Sequence, residues 1–364
     1  MNILFATAQP YIPQMFGGLQ TSTDELASHL VGAGRGVSVL CALMGSGTLG
    51  FVGRLKMKIS GQKAACDTGL GYPVWRAWFP WEMIEWVLRQ IKPDVVVILA
   101  RQPVRMAMAA RRANIPILLV LQDVEFGDHG GEFKEIGEVA CVANSAFTAD
   151  KYRQAFGVDP VVIPPLIDGA PLYRTETTKE NITFINPHPF KGVDIALAVA
   201  RRCPEIPFAF VETWPLPKSN RAELKSELAG LRNVSLLPVE RDMKKIYGKC
   251  RILLAPSRWE EGFGRVACEA QYSGIPVIAS DRGGLPEAVG AGGVLVDPDG
   301  PLNAWVAAAQ RLWQDQEYYS KLAVAAYAHS NRPALRWDVQ LPLWEKAFAH
   351  AIHGVPRAGE NQVA

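Results

Sequence analysis

Two hydrophobic periodicities alternate along the 364-residue chain. Short, nearly unbroken apolar runs recur at 2–7, 37–43, 94–100, 117–121, 139–143 and 161–163, then at 182–186, 208–211, 234–237, 252–255, 277–280 and 294–296. Such runs are strands buried on both faces, as inside a parallel sheet. Between them, apolar residues fall at helical spacing over 19–33, 84–91, 104–113 and 148–156, and again over 192–202, 218–230, 241–248, 263–273 and 284–289. Strand, glycine turn, helix, strand is a βαβ unit, so the sheets are expected to be parallel. One break divides the rhythm into two halves. Residues 164–178 are polar, proline-containing and unpatterned, which is where a linker belongs. The expected architecture is α/β: two tandem doubly wound, Rossmann-like domains facing a cleft, at 1–167 and 181–335, joined by a linker at 168–180. Helices at 302–329 and 337–353 follow. The segment 336–364 is expected to carry its helix back to the first domain and to end in a loose tail.

Composition narrows the class. Apolar residues make up 49% and charged residues 20%, with a net charge of +2, which describes a globular protein without a nucleic-acid signature. The cysteines, at 41, 66, 141, 203, 250 and 268, form no Cys-x-x-Cys pair, which argues against a zinc site or a disulfide framework. The start, Met1 to Ala6, is too short and uncharged for a signal peptide, and no apolar run reaches membrane-spanning length. A cytoplasmic protein is therefore expected. Residues 45–80 read as irregular. They hold many glycines, the cations Arg54, Lys56, Lys58 and Lys63, and the interleaved apolar residues Phe51, Leu55, Met57 and Ile59. Trp75, Trp78 and Trp81 follow. One reading is a solvated loop with a few buried aromatics. The other is peripheral contact with an anionic membrane through 51–63.

The richest stretch is 256–270, Pro-Ser-Arg-Trp-Glu-Glu-Gly-Phe-Gly-Arg-Val-Ala-Cys-Glu-Ala. A strand ends in a Pro-Ser turn, a loop with two acids follows, and Gly262-Phe263-Gly264 opens a helix. Free N–H groups and the positive end of that helix suit an anion such as a diphosphate. Glu261 and Glu269 are eight residues apart, about 12 Å along a continuous helix. Glu261 therefore belongs to the loop, curled over the helix start, and Glu269 to the helix.

This stretch, with Gly274-Ile275-Pro276-Val277 and Gly283-Gly284-Leu285-Pro286-Glu287 after it, resembles the E-x7-E region of the retaining glycosyltransferases of the GT-B fold, in particular family 4. Lys191-Gly192, Asn144-Ser145 and Gly17-Gly18 extend the resemblance. It implies that Glu261 contacts a donor sugar, that Glu269 accepts hydrogen bonds from the ribose, and that the backbone of Gly262, Phe263 and Gly264 covers sugar and phosphates. It implies that Lys191 neutralises the leaving diphosphate and that Gly17 and Gly18 approach the donor closely. The arginine usual five residues before the lysine is Asn186 here, which leaves Arg258 or Arg265 as candidate phosphate helpers. The histidine usual after the strand 117–121 is replaced by Gln122. His129 then has two readings, a catalytic group facing the cleft or a solvated loop residue, and so has His188. The loop at Pro238-Val239-Glu240 falls where the base is recognised. Asp297-Pro298-Asp299 reads as a turn rather than a metal site.

The resemblance implies metal-independent, retaining transfer of a sugar from a nucleoside diphosphate sugar to a carbohydrate or lipid-linked acceptor, in cell-envelope glycan or glycolipid synthesis, without a bound cofactor. Two alternatives stay open: a phosphorylase or epimerase of the same fold, and a nucleotide-sugar-binding protein without turnover.

Overall fold

The computed structural model describes residues 1–213, 216 and 218–354. Its contacts divide the chain into two compact units, Met1–Leu166 with Trp337 onward, and Ile167–Arg336. The expected loose tail falls beyond Gly354, outside the described residues.

The first unit runs β1 (Asn2–Pro10), α1 (Gly18–Gly32), β2 (Gly36–Ala42), α2 (Gly47–Ser60), β3 (Ala64–Asp67), β4 (Val74–Ala77), α3 (Pro80–Ile91), β5 (Val95–Leu99), α4 (Pro103–Arg112), β6 (Ile117–Leu121), β7 (Ala140–Ala143), α5 (Ala146–Phe156) and β8 (Val161–Val162). The sheet order is β3-β4-β2-β1-β5-β6-β7-β8. Successive side chains of a strand point to opposite faces, and both faces here are buried. Ile3, Phe5, Val95 and Val97 join one apolar cluster, and Leu4, Ala6, Val96 and Ile98 the other. That is why the strands read as unbroken apolar runs.

The second unit runs α6 (Gly169–Leu172), β9 (Asn181–Ile185), α7 (Val193–Arg202), β10 (Phe208–Val211), α8 (Lys218–Leu228), β11 (Val234–Leu237), α9 (Met243–Tyr247), β12 (Cys250–Ala255), α10 (Arg265–Gln271), β13 (Val277–Ser280), α11 (Leu285–Val289), β14 (Gly293–Val296), α12 (Leu302–Gln314) and α13 (Gln316–Ser330). All its strand pairs are parallel, in the order β11-β10-β9-β12-β13-β14. The last helix, α14 (Trp337–His353), belongs to the first unit: Trp344, Ala347, Phe348 and Ala351 complete the cluster on one face of that sheet. Gln340 fastens it by donating to the Pro164 carbonyl at 3.0 Å.

The structure corrects the reading of 45–80. This stretch is not an irregular loop. It forms α2 and the strands β3 and β4, and β3 pairs with β4 antiparallel, so the first sheet is not wholly parallel. The helix was hidden because it packs through Gly50, Gly53 and Met57 and leaves Phe51, Val52, Leu55 and Ile59 outside, which inverts the usual pattern. Among the described residues no helix is long and apolar enough to cross a membrane.

Candidate active site

In the second unit the winding reverses at β9. The chain goes from β9 to β10 on one side, and β12 pairs on the other. Open α/β sheets hold ligands outside the carboxyl ends of the strands at such a switch point. Two of the predicted residues meet there. Lys191 closes a single 3-10 turn, Pro189–Lys191, just past β9, and Glu261 sits in the loop past β12. Lys191 Nζ lies 2.8 Å from Glu261 Oε1, and Ser257 Oγ donates to the same oxygen at 2.7 Å. The two charged side chains are 20% and 15% exposed, so solvent screens the pair only in part. Burial by itself raises the Glu261 carboxyl. The Lys191 ammonium and the Ser257 hydroxyl more than offset this, and the pKa falls below the ordinary glutamate value. Glu261 is therefore an anion at neutral pH and accepts hydrogen bonds rather than donating protons.

The loop carrying Glu261 is set by backbone packing. Gly284 N donates to the Glu261 carbonyl at 2.7 Å. Gly283, at φ +64°, passes so close that an added Cβ would sit 2.6 Å from that carbonyl oxygen. A side chain at 283 would push Glu261 out of place.

Glu269 stands on α10, which starts after Gly264. Its carboxylate is buried. Tyr247 donates its hydroxyl to Oε2 at 3.0 Å, and Arg265 Nε donates to Oε1 at 3.2 Å. Arg265 Nη2 also reaches the Tyr173 hydroxyl at 3.1 Å. Burial, then the neighbouring carboxylate, hold the Tyr247 phenol far above its ordinary pKa, so it remains a donor. Arg258 is engaged as well. It donates to Asp194 Oδ2 at 2.6 Å and to the Pro298 carbonyl at 2.8 Å, and it shares Asp299 with Arg282. Both candidate phosphate helpers thus hold carboxylates of their own unit.

Asn186 adopts a left-handed φ of +58°, which asparagine tolerates better than most residues. Its Oδ1 accepts from Thr213 N at 2.9 Å and from Thr213 Oγ1 at 2.7 Å, which ties the ends of β9 and β10 together. His188 stacks on Phe190 at 5.0 Å between ring centroids. Burial and the nearby Lys191 lower its pKa. Val239 is 48% exposed past the edge strand β11.

In the first unit the winding reverses between β1 and β5. Gly17 is the N-cap of α1, with no side-chain cap, so the first turn of that helix offers bare N–H groups. The loop leading to Gly17 and Gly18 is anchored by Arg76, which is 1% exposed. Its guanidinium donates to the Tyr11 and Ile12 carbonyls at 3.3 and 2.6 Å and to Asp67 at 2.7 Å. Nearby, Gln122 Oε1 and Asn144 Oδ1 are buried acceptors without a hydrogen-bond partner among the described residues. Gln122 and Asn144 line a cavity of about 20 Å³, room for one water.

His129 is not a solvated loop residue. It is 8% exposed, with Phe133 and Phe156 each at 5.4 Å and Phe126 at 5.7 Å between ring centroids. Burial lowers its pKa, against the pull of Asp128. The glycines around it concealed this, because the anchoring aromatics lie up to 27 residues away in the chain. Sequence reasoning also missed Arg76, Tyr247 and Tyr173. Only Ser257, four residues before Glu261, left a local signal.

Residues 16–170 match the family described as Glycosyltransferase Family 4, and residues 182–315 the one described as Glycosyl transferases group 1. The D-inositol 3-phosphate glycosyltransferase of Segniliparus rotundus is 30% identical over 240 residues, 58% of this chain and 52% of that protein. The protein of the same name from Corynebacterium diphtheriae is 41% identical over 91 residues, 24% of this chain and 21% of that one. The chain therefore spans about half, or less, of the length of these relatives. Among solved structures, Anabaena Alr3699/HepE in complex with UDP superposes with a TM-score of 0.73 at 20% identity, over 95% of this chain and 99% of that one. The sucrose-phosphate synthase of Thermosynechococcus elongatus does so at 0.72 and 16% identity, over 96% and 100%. Identities this low establish the shared fold and nothing finer.

Proposed function

The chain carries a glycosyltransferase family 4 domain followed by a glycosyl transferases group 1 domain, and from that premise we propose that it moves a sugar, with retention at the anomeric carbon and without a metal, from a nucleoside diphosphate sugar to an acceptor. The observation that carries this reading is the Lys191–Glu261 pair at the switch point of the second sheet. A cation and an anion held side by side fit a donor that places a diphosphate next to a hydroxyl-rich ring. Lys191 takes the charge that grows on the leaving phosphate, and the N–H groups after Gly262 add to it. Glu261, ionised, accepts from sugar hydroxyls and fixes the ring. Glu269 holds the ribose, oriented by Tyr247 and Arg265, and Val239 flanks the base.

In the reaction the anomeric carbon–phosphate oxygen bond breaks as the acceptor oxygen bonds on the same face. The acceptor proton passes to the departing phosphate oxygen. No cofactor enters. The first unit holds the carbohydrate or lipid-linked acceptor, at the cytoplasmic side of the cell envelope. Alr3699/HepE was solved with UDP and with UDP-glucose, so uridine is the first base to test.

The test is a thermal-shift screen with UDP, GDP, ADP, CDP and dTDP, followed by acceptor-dependent release of the diphosphate. A ligand at 100 times its Kd contributes roughly 2.7 kcal/mol. Glu261→Ala and Lys191→Ala should each lose about 10²–10³-fold in turnover. Binding without turnover would favour a sugar-nucleotide-binding protein, and release driven by inorganic phosphate would favour phosphorolysis. If no diphosphate shifts the melt, the donor site is refuted.

A further inference from the structure

The face of α2 that points to solvent is the apolar one. A helix turns about 100° per residue. On that count Gly50, Gly53 and Met57, the buried residues, lie together on one side. Phe51, Val52, Leu55 and Ile59 occupy an arc of about 100° centred opposite, and they are 59%, 40%, 46% and 78% exposed. The packing requires this. Met57 meets Leu43 and Ala65, and an added Cβ on Gly50 would lie 2.4 Å from the Met44 carbonyl. The glycines let the helix lie close against residues 43–45, just past β2, and against Ala65 of β3, and Phe51, Val52, Leu55 and Ile59 are left outside.

Two further features accompany the stripe. Trp78 and Phe79, in the turn between β4 and α3, are 46% and 52% exposed, and the Trp78 ring lies against Gly45 at the start of α2. The charges are of one sign. Arg54 and Lys58 border the stripe on one side and Lys56 on the other, Lys63 follows, and no acid occurs from 46 to 63. Singly exposed apolar residues are ordinary, but a continuous stripe flanked by cations is not. Its elements are those of a helix lying in a lipid interface: an apolar stripe that enters the acyl boundary, basic residues at headgroup level, and an aromatic anchor.

We infer that α2, with Trp78 and Phe79, docks the first unit on an anionic lipid surface, which makes the acceptor of the proposed transfer membrane-borne. The inference rests on the transfer reading only for that last clause, because lipid binding is measured without turnover.

The experiment is flotation of the full chain with vesicles of phosphatidylcholine alone or mixed with phosphatidylglycerol, alongside Trp fluorescence. Expected are binding to the anionic vesicles only, a blue shift, and release by rising salt. Phe51→Ser with Ile59→Ser should abolish flotation. Arg54→Gln and Lys58→Gln should each weaken it about fivefold, the equivalent of roughly 1 kcal/mol per basic residue near an anionic surface. These side chains lie outside the core, so all variants should keep the wild-type melt and its nucleotide shift. Failure to float, equal binding to neutral vesicles, or undiminished binding by the Phe51/Ile59 variant would overturn the inference. So would a dimer in light scattering that the same variant dissociates. A lost nucleotide shift with intact flotation would instead strike at the donor site.

Discussion

The two sheets share a winding plan but treat their carboxyl ends differently. At the switch point of the second unit charges are paired, and two carboxylates there have named partners: Glu261 with Lys191 and Ser257, Glu269 with Tyr247 and Arg265. At the first, the loop is shaped by a buried arginine, and the nearby Gln122 and Asn144 oxygens lack partners among the described residues. A group that stays the same from one reaction to the next, a sugar diphosphate, suits a preorganised charged end. A group that varies suits an end built of backbone and unspent acceptors. In the proposed function the donor goes to the first kind and the acceptor to the second.

The sharpest way to break this comparison is to damage each unit separately. Phe348→Ala removes a fully buried ring of α14 from the cluster behind β5 and β6. It should cost about 3–5 kcal/mol and speed hydrogen exchange in the first sheet. Arg265→Met leaves the Glu269 carboxylate buried and without its cation, a loss of about 3–5 kcal/mol when a buried pair is broken, with exchange rising in β12 and β13. If either variant loosens both sheets equally, the units are not separate in stability and the contrast loses its basis.

What could be read in the sequence divides along the same line. The strands outside 45–80, the α/β class and the 256–270 stretch were legible because each is local: apolar runs, glycine turns, and acids at fixed spacing. The Lys191–Glu261 pair could be named residue by residue, though not as a contact, since 70 residues separate the partners. Where the meaning depended on a distant partner, the local pattern gave no sign of it. His129 looked solvated among its glycines and is enclosed by aromatics of α5 and of the turn before β7. Helix α2 looked irregular because glycines face inward. Asn186 was read only for what it could offer a phosphate, and its oxygen also braces Thr213, 27 residues on.

A gentler probe is acid. Glu261 has a lowered pKa in the folded chain, with an ordinary glutamate value of 4.5 as its reference when unfolded. A depressed carboxylate contributes stability that is complete above the unfolded value and is lost as pH falls through the folded one. Melting temperature should therefore fall with acid more steeply in the wild type than in Glu261→Gln, starting near the ordinary value. Identical slopes would show that the Lys191 pairing is not formed in solution.

The smallest effect is expected at Arg258, and it separates two arginines seven residues apart. Arg258 is 39% exposed at its side chain and bound to Asp194 and Asp299, whereas Arg265 is 7% exposed and bound to Glu269. Surface pairs contribute about 0–1 kcal/mol, so Arg258→Gln should shift the melt slightly. If its guanidinium stays with the two acids during turnover, kcat/KM should change less than about tenfold, some 1.4 kcal/mol. A hundredfold loss, restored in part by Arg258→Lys, would mean that Arg258 leaves Asp194 to meet the diphosphate. The charged end of the second sheet would then be completed only when the donor arrives, and the contrast between a preorganised end and an adaptable one would narrow.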